Sequence, residues 1–348
     1  MIRIFLQGAF FFLSSIIFQA PSGALATPRD WREYVVPGAK CGNGEPYTIH
    51  ISSGDPERVV FDFMGGGACW SYGTCQGPIP TTFLGPKHGI LENRFGGFVS
   101  ADPNESPVAG DTMVYLPYCT GDVFVGSHTA QYSKNPVYHW GWKNTVLTFE
   151  FLKRYGLLDF KSLKRVVSYG FSAGAIGAIA HIFELERILP KQTERVLLAD
   201  SPGLHFGDGF WDKFPEPMLQ DMEKALGQAG IALDRSSGDL GRHLKTACGM
   251  FPSWKIGILQ GARDWVMSII FGNQSPGELA EKIYGAEGIY ALARASGGNC
   301  AVWAPPISEH VFLWSYASAR NVAHEPESKT ALEFASEVIR TKTLRNYR

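Results

Sequence analysis

Net charge is almost absent from this chain: 32 lysines and arginines face 33 aspartates and glutamates, which leaves −1 at neutral pH. A nucleic-acid surface needs a basic field to displace phosphate counterions, and none is present. There is no polybasic run of the kind that holds a protein to an anionic membrane. No C-x-x-C pair and no H-E-x-x-H signature occurs, so cysteine and histidine show no metal-ligand spacing. The dinucleotide fingerprint G-x-G-x-x-G is missing, and the glycines at 65–67 are not followed by Lys-Ser/Thr, which argues against a phosphate cradle. No cofactor is expected. Repeats, low-complexity tracts and interdomain linkers are missing as well. The one long apolar run lies at the extreme N-terminus.

That run reads as an export signal. Arg3 supplies the positive start, Ile4–Phe18 the apolar core, and Ala24-Leu25-Ala26 a small-x-small cleavage site before Thr27. It is shorter than the roughly 20 residues a membrane-spanning helix needs. The expectation is a signal peptide over residues 1–26, then one domain over 27–348, secreted or periplasmic, with no stable membrane insertion. Six cysteines suit an exported chain with three disulfides. Cys69 and Cys75 are near enough in sequence to staple one loop. The nine tryptophans are expected in the core, with a cleft for sugars or acyl chains as the other use.

Strand-like runs alternate with helix-like ones. Strands are expected at 47–52, 59–64, 112–117, 163–169, 195–200, 254–260 and 300–304. Helices are expected at 144–155, 173–187, 217–229, 276–295 and 329–342. The first two strands, joined through Gly54-Asp55-Pro56-Glu57, suit an antiparallel hairpin. After residue 110 the alternation predicts an α/β fold, a doubly wound, mostly parallel sheet with helices on both faces. Residues 65–110 are expected as loops above the sheet, and 201–250 as a mostly helical insertion, a candidate lid.

The chemistry sits at Val166-Val167-Ser168-Tyr169-Gly170-Phe171-Ser172-Ala173-Gly174. A β-branched run ends in G-F-S-A-G and a helical segment follows, the form of a nucleophile elbow. A serine hydroxyl needs a base, a carboxylate to orient that base, and donors for the oxyanion. In the α/β-hydrolase arrangement these follow in the order Ser, Asp/Glu, His. His310 in Ser308-Glu309-His310 is the favoured base, beyond the last strand and two prolines. His205 is its competitor; His324 lies beside the C-terminal helix, and His181 lies inside the helix after the serine. Asp264, just past the strand at 254–260, is the favoured acid, with Asp200 the alternative, although Asp-Ser-Pro-Gly is also turn chemistry. The strand 59–64 runs into Gly65-Gly66-Gly67, a candidate oxyanion loop, and the N–H of Ala173 is the expected second donor.

With these motifs in view, the chain resembles the pectin acetylesterase/Notum family of carboxylic ester hydrolases. The resemblance rests on Cys41-Gly42-Asn43-Gly44-Glu45-Pro46-Tyr47, Gly65-Gly66-Gly67-Ala68-Cys69-Trp70 with Cys75, Pro117-Tyr118-Cys119-Thr120-Gly121-Asp122-Val123 and Gly170–Gly174. It implies Ser172 as nucleophile, Asp264 as acid, His310 as base, and Gly66, Gly67 and Ala173 as the oxyanion hole. It also implies disulfides Cys41–Cys119 and Cys69–Cys75, which leaves Cys248–Cys300. Such enzymes remove acetyl from pectin or a fatty acyl group from a protein serine. Export suits extracellular glycans, so an acetyl-removing polysaccharide esterase is the favoured expectation. A longer-chain lipase, polyester or protein deacylase is the alternative, and a glycan- or lipid-binding protein without turnover is the reading from another class.

Overall fold

The computed structural model describes residues 29–86, 97–314 and 329–348. The expected signal peptide and His324 lie outside the described residues. Among the described residues there are ten strands: β1 (Arg32–Lys40), β2 (Pro46–Ser52), β3 (Asp55–Phe63), β4 (Asp111–Leu116), β5 (His128–Ala130), β6 (Val137–His139), β7 (Arg165–Phe171), β8 (Glu194–Asp200), β9 (Trp254–Leu259) and β10 (Cys300–Trp303). Eight of them form one sheet in the order β1-β2-β4-β3-β7-β8-β9-β10, while β5 and β6 pair separately. Within the eight-stranded sheet β4-β3-β7-β8-β9-β10 pair in parallel and β1–β2 and β2–β4 are antiparallel, as is the separate β5–β6 pair. Helices pack around this sheet, as the alternation of elements predicts.

Burial follows from position in the sheet. In β7 every residue after Arg165 is buried, because β3 and β8 flank it and helices cover it. Strands buried on both faces read as continuous apolar runs, and Val166-Val167 with Tyr169 fits. The C-terminal helix 331–340 is amphipathic: Phe334, Val338 and Ile339 are buried, each worth about 1.5–3 kcal/mol. Thr330 and Glu333 form a capping box at its start. The end of the chain then covers β10, with Tyr347 N–H donating to the Val302 carbonyl at 2.9 Å and Ala304 N–H to that of Tyr347 at 2.9 Å.

Several expectations need correction. The strands at 46–52 and 55–63 do not form a hairpin: β4 lies between them, and β2 pairs instead with β1. The strand β1 carries only Val36 and Ala39 as buried apolar residues, so its sequence shows no clear apolar alternation. The helix expected over 173–187 breaks at His181 into 173–180 and 182–188. The one expected over 276–295 ends at Tyr284 and resumes at Ile289, across Gly285 and Gly288. The segment 201–250 is helical only in part, chiefly at Glu216–Gln228 and Leu244–Met250.

All six cysteines are paired, as Cys41–Cys119, Cys69–Cys75 and Cys248–Cys300. Among the described residues no helix is long and apolar enough to cross a membrane.

Candidate active site

Ser172 stands between β7 and the helix 173–180, with φ 54° and ψ −124°. Few L residues hold a positive φ, and such strain marks the sharp turn that lifts a nucleophile off its strand. The turn is crowded. A Cβ on Gly170 would stand 2.0 Å from the Gly174 carbonyl oxygen, and one on Gly174 would stand 2.0 Å from that of Phe63. Both contacts are with backbone, so neither glycine can carry a side chain without moving the sheet. The Ser172 N–H donates to the Asp200 carbonyl at 2.8 Å, which fastens the elbow to the end of β8.

The glycine loop after β3 comes to the same place: Gly67, Ser172 and Ala173 line one pocket. Gly67 has φ 79° and packs so closely on the Thr81 carbonyl that a Cβ would clash at 2.2 Å. Among the described residues no acceptor is bonded to the N–H groups of Gly66 and Gly67. Ala173 opens its helix, where an N–H has no intrahelical partner. Free N–H groups beside a serine hydroxyl are what an oxyanion needs.

Asp264 and His310 are brought together by two laced loops. Ala262, Arg263 and Trp265 donate their N–H groups to the carbonyls of Pro305, Ile307 and Ser308 at 2.8–3.1 Å. His310 Nδ1 then lies 2.7 Å from Asp264 Oδ2. The carboxylate is fully buried and also accepts from Gln260 Nε2 at 3.0 Å and from the Met267 N–H at 2.9 Å. That pairing keeps the imidazole proton on Nδ1 and leaves Nε2 to exchange a proton.

The alternatives are engaged elsewhere. Asp200 binds backbone N–H groups of Phe312 and Leu313, not the imidazole. His205 is buried, pairs with Asp239 at 2.7 Å and accepts from the Ile289 N–H at 3.2 Å. His181 is stacked against Trp142 and Phe63, and burial pushes its pKa down to about 3, so it stays neutral. Cys69, Cys75 and His139 lie close enough to share a cation, but the two sulfurs are bonded to each other and offer no thiolate.

The pocket above Ser172 encloses about 680 Å³, its open mouth included. Its walls are Trp70, Phe206, Phe210, Trp211, Phe214, Met222, Leu226, Met267 and Phe271. Most of these come from the segment 201–250, expected as a lid, whose aromatic cluster at 206–214 forms the pocket wall. Among the described residues one charged side chain lines the pocket: the Lys213 ammonium donates to the Phe271 carbonyl at 2.6 Å and lies 4.1 Å from the Phe210 ring centroid. Burial pulls its pKa down to about 8.

An α/β-hydrolase-type sheet with a strained serine at its central elbow defines the structural class. The chain belongs to the pectinacetylesterase family, whose model matches residues 31–209. It is similar to a palmitoleoyl-protein carboxylesterase NOTUM of Schmidtea mediterranea, 28% identical over 162 residues, 45% of this chain and 30% of that protein. It is also similar to pectin acetylesterase 11 of Arabidopsis thaliana, 24% identical over 184 residues, 51% of this chain and 46% of that protein. The matches thus span less than half the length of either relative. The family match covers the glycine loop and the elbow.

Proposed function

We propose that this protein is a serine carboxylesterase that cleaves O-acyl groups through an acyl-enzyme. In this reading His310 Nε2 takes the Ser172 proton as Oγ attacks the ester carbonyl. The N–H groups of Gly66, Gly67 and Ala173 hold the developing oxyanion. The imidazolium, stabilised by Asp264, passes its proton to the leaving alcohol. Water, deprotonated by the same imidazole, then releases the acid and restores Ser172. The observation that carries this reading is the His310–Asp264 bond on a loop tied to the strand beside the elbow. Membership of a family named for an esterase supports it. The three disulfides accord with export to an oxidising compartment.

The pocket favours an apolar acyl group longer than acetyl. A sugar ring needs hydrogen-bond partners, and beyond Ser172 the described lining offers mainly aromatic and aliphatic side chains, with the Lys213 ammonium committed to a carbonyl. The alcohol side of the ester, whether glycan or protein, is outside that pocket in this reading. The test is hydrolysis of p-nitrophenyl acetate, butyrate, octanoate and palmitate. Butyrate or octanoate should exceed acetate in kcat/KM. Ser172→Ala should lower kcat by about 10⁴-fold or more with the fold intact. Near-native turnover by that variant would refute the esterase assignment, and a sharp preference for acetate would refute the acyl assignment.

A further inference from the structure

Asp200 ends β8 as a fully buried carboxylate, yet it is not the partner of the imidazole. Its bonds tie the two halves of the candidate site. Its main-chain carbonyl accepts the Ser172 N–H at 2.8 Å. Its carboxylate accepts the N–H groups of Phe312 at 2.8 Å and Leu313 at 2.7 Å, and the Ser201 hydroxyl at 3.0 Å. Ser201 Oγ in turn accepts the Val311 N–H at 3.0 Å. The three residues that follow His310 are therefore all held from one strand end.

Backbone strain gathers at the same knot. Ser172, Ser201 and Val311 have φ of 54°, 59° and 69°. A β-branched residue at such an angle is an outlier that persists only when its surroundings enforce it. Val311 is the residue after His310, and the groups that enforce its conformation are Asp200 and Ser201.

We infer that Asp200 is a positioning residue: its carbonyl sets the elbow of Ser172, and its carboxylate, with Ser201, sets the strained chain that carries His310. The inference rests on the esterase reading above. It adds an electrostatic role. The titratable group whose charge acts on Asp200 is the His310 imidazole, carried two residues before the Phe312 N–H that the Asp200 carboxylate binds and held by Asp264 from the adjacent loop; Ser201 is the neutral neighbour. An anion near an imidazole favours the imidazolium that forms when Ser172 is deprotonated. Burial raises the Asp200 pKa to about 6, and the donors from Leu313, Phe312 and Ser201 oppose that rise.

The test is Asp200→Asn, which keeps the size and removes the charge. For p-nitrophenyl butyrate, kcat should fall by about tenfold to a hundredfold with KM changed by less than about twofold. The acid limb of the kcat/KM profile should move to lower pH, because the imidazole loses a negative neighbour. A role in packing alone would lower kcat or stability and leave that limb in place, and so would overturn the inference. Ser201→Ala keeps the charge but frees Val311; it should lower kcat without moving the limb. If Asp200→Asn does not fold, the Ser201→Ala kcat decides, and a wild-type value overturns the inference. Activity surviving in Ser172→Ala sinks the esterase reading itself. A dead Ser172→Ala beside an unaltered Asp200→Asn sinks only this inference.

Discussion

One aspartate, Asp200, ends β8; another, Asp264, lies in the loop just past the neighbouring β9, and their surroundings separate them. Asp264 accepts from an imidazole, a glutamine and one N–H. Asp200 accepts from two N–H groups and a hydroxyl. Both positions were legible as strand-end carboxylates, and both fit the triad order. The turn chemistry of Asp-Ser-Pro-Gly tilts the choice toward Asp264, but the pairing itself was not legible, because it depends on the lacing of 261–265 to 305–308. Asp200 also has a consequence for stability. Its folded pKa, about 6, lies above the ordinary 3.8, so the folded chain holds that proton more tightly than the unfolded chain does. The contribution to stability is full below 3.8 and is lost as pH rises to about 6 and beyond. Urea melts of wild type and Asp200→Asn at a series of pH values isolate this term. The wild type should lose stability relative to the variant between pH 4 and pH 7, and a constant difference would contradict the buried, perturbed carboxyl.

At the scale of elements, the helix 216–228 is the wall of the pocket that sequence periodicity placed well and could not dock. Its Met222 and Leu226 face the pocket. Its Asp221 reaches the β5 hairpin, accepting the Ser127 N–H at 2.6 Å and pairing with His128 Nδ1 at 2.7 Å. Both side chains are mostly buried, so the link is more than a surface ion pair. Asp221→Ala should lower stability by about 1 kcal/mol and speed amide exchange across 216–228. Octanoate turnover should fall more than acetate turnover. Unchanged exchange in that helix would show that Asp221 does not hold it. The short hairpin of β5 and β6 escaped the sequence reading because three-residue strands carry no usable period. The central strands were legible because each carries a short apolar core, such as Val59-Val60-Phe61 in β3, Val166-Val167 in β7 and Val196-Leu197-Leu198-Ala199 in β8.

For the whole molecule, the disulfides should rank by the chain each encloses. Cys41–Cys119 and Cys248–Cys300 span 78 and 52 positions, and Cys69–Cys75 spans 6. Loop-closure entropy assigns about 4–5 kcal/mol to each long bridge and about 2 kcal/mol to the short one. Paired serine substitutions followed by urea unfolding should reproduce that order. A larger loss from the Cys69–Cys75 pair would mean that strain or the glycine loop beside it, and not chain entropy, sets its contribution.

What the sequence by itself determined was local: where apolar runs make strands, where G-F-S-A-G must turn, and which residue types can carry acyl transfer. These depend on side chains a few positions apart. What the tertiary structure decided was partnership. It placed β4 between β2 and β3, matched His310 to Asp264 and left Asp200 to the backbone, and turned the aromatics of 206–214 onto Ser172. Each of those outcomes joins segments far apart in the chain, where only packing and hydrogen-bond geometry select among residues of equal chemical fitness.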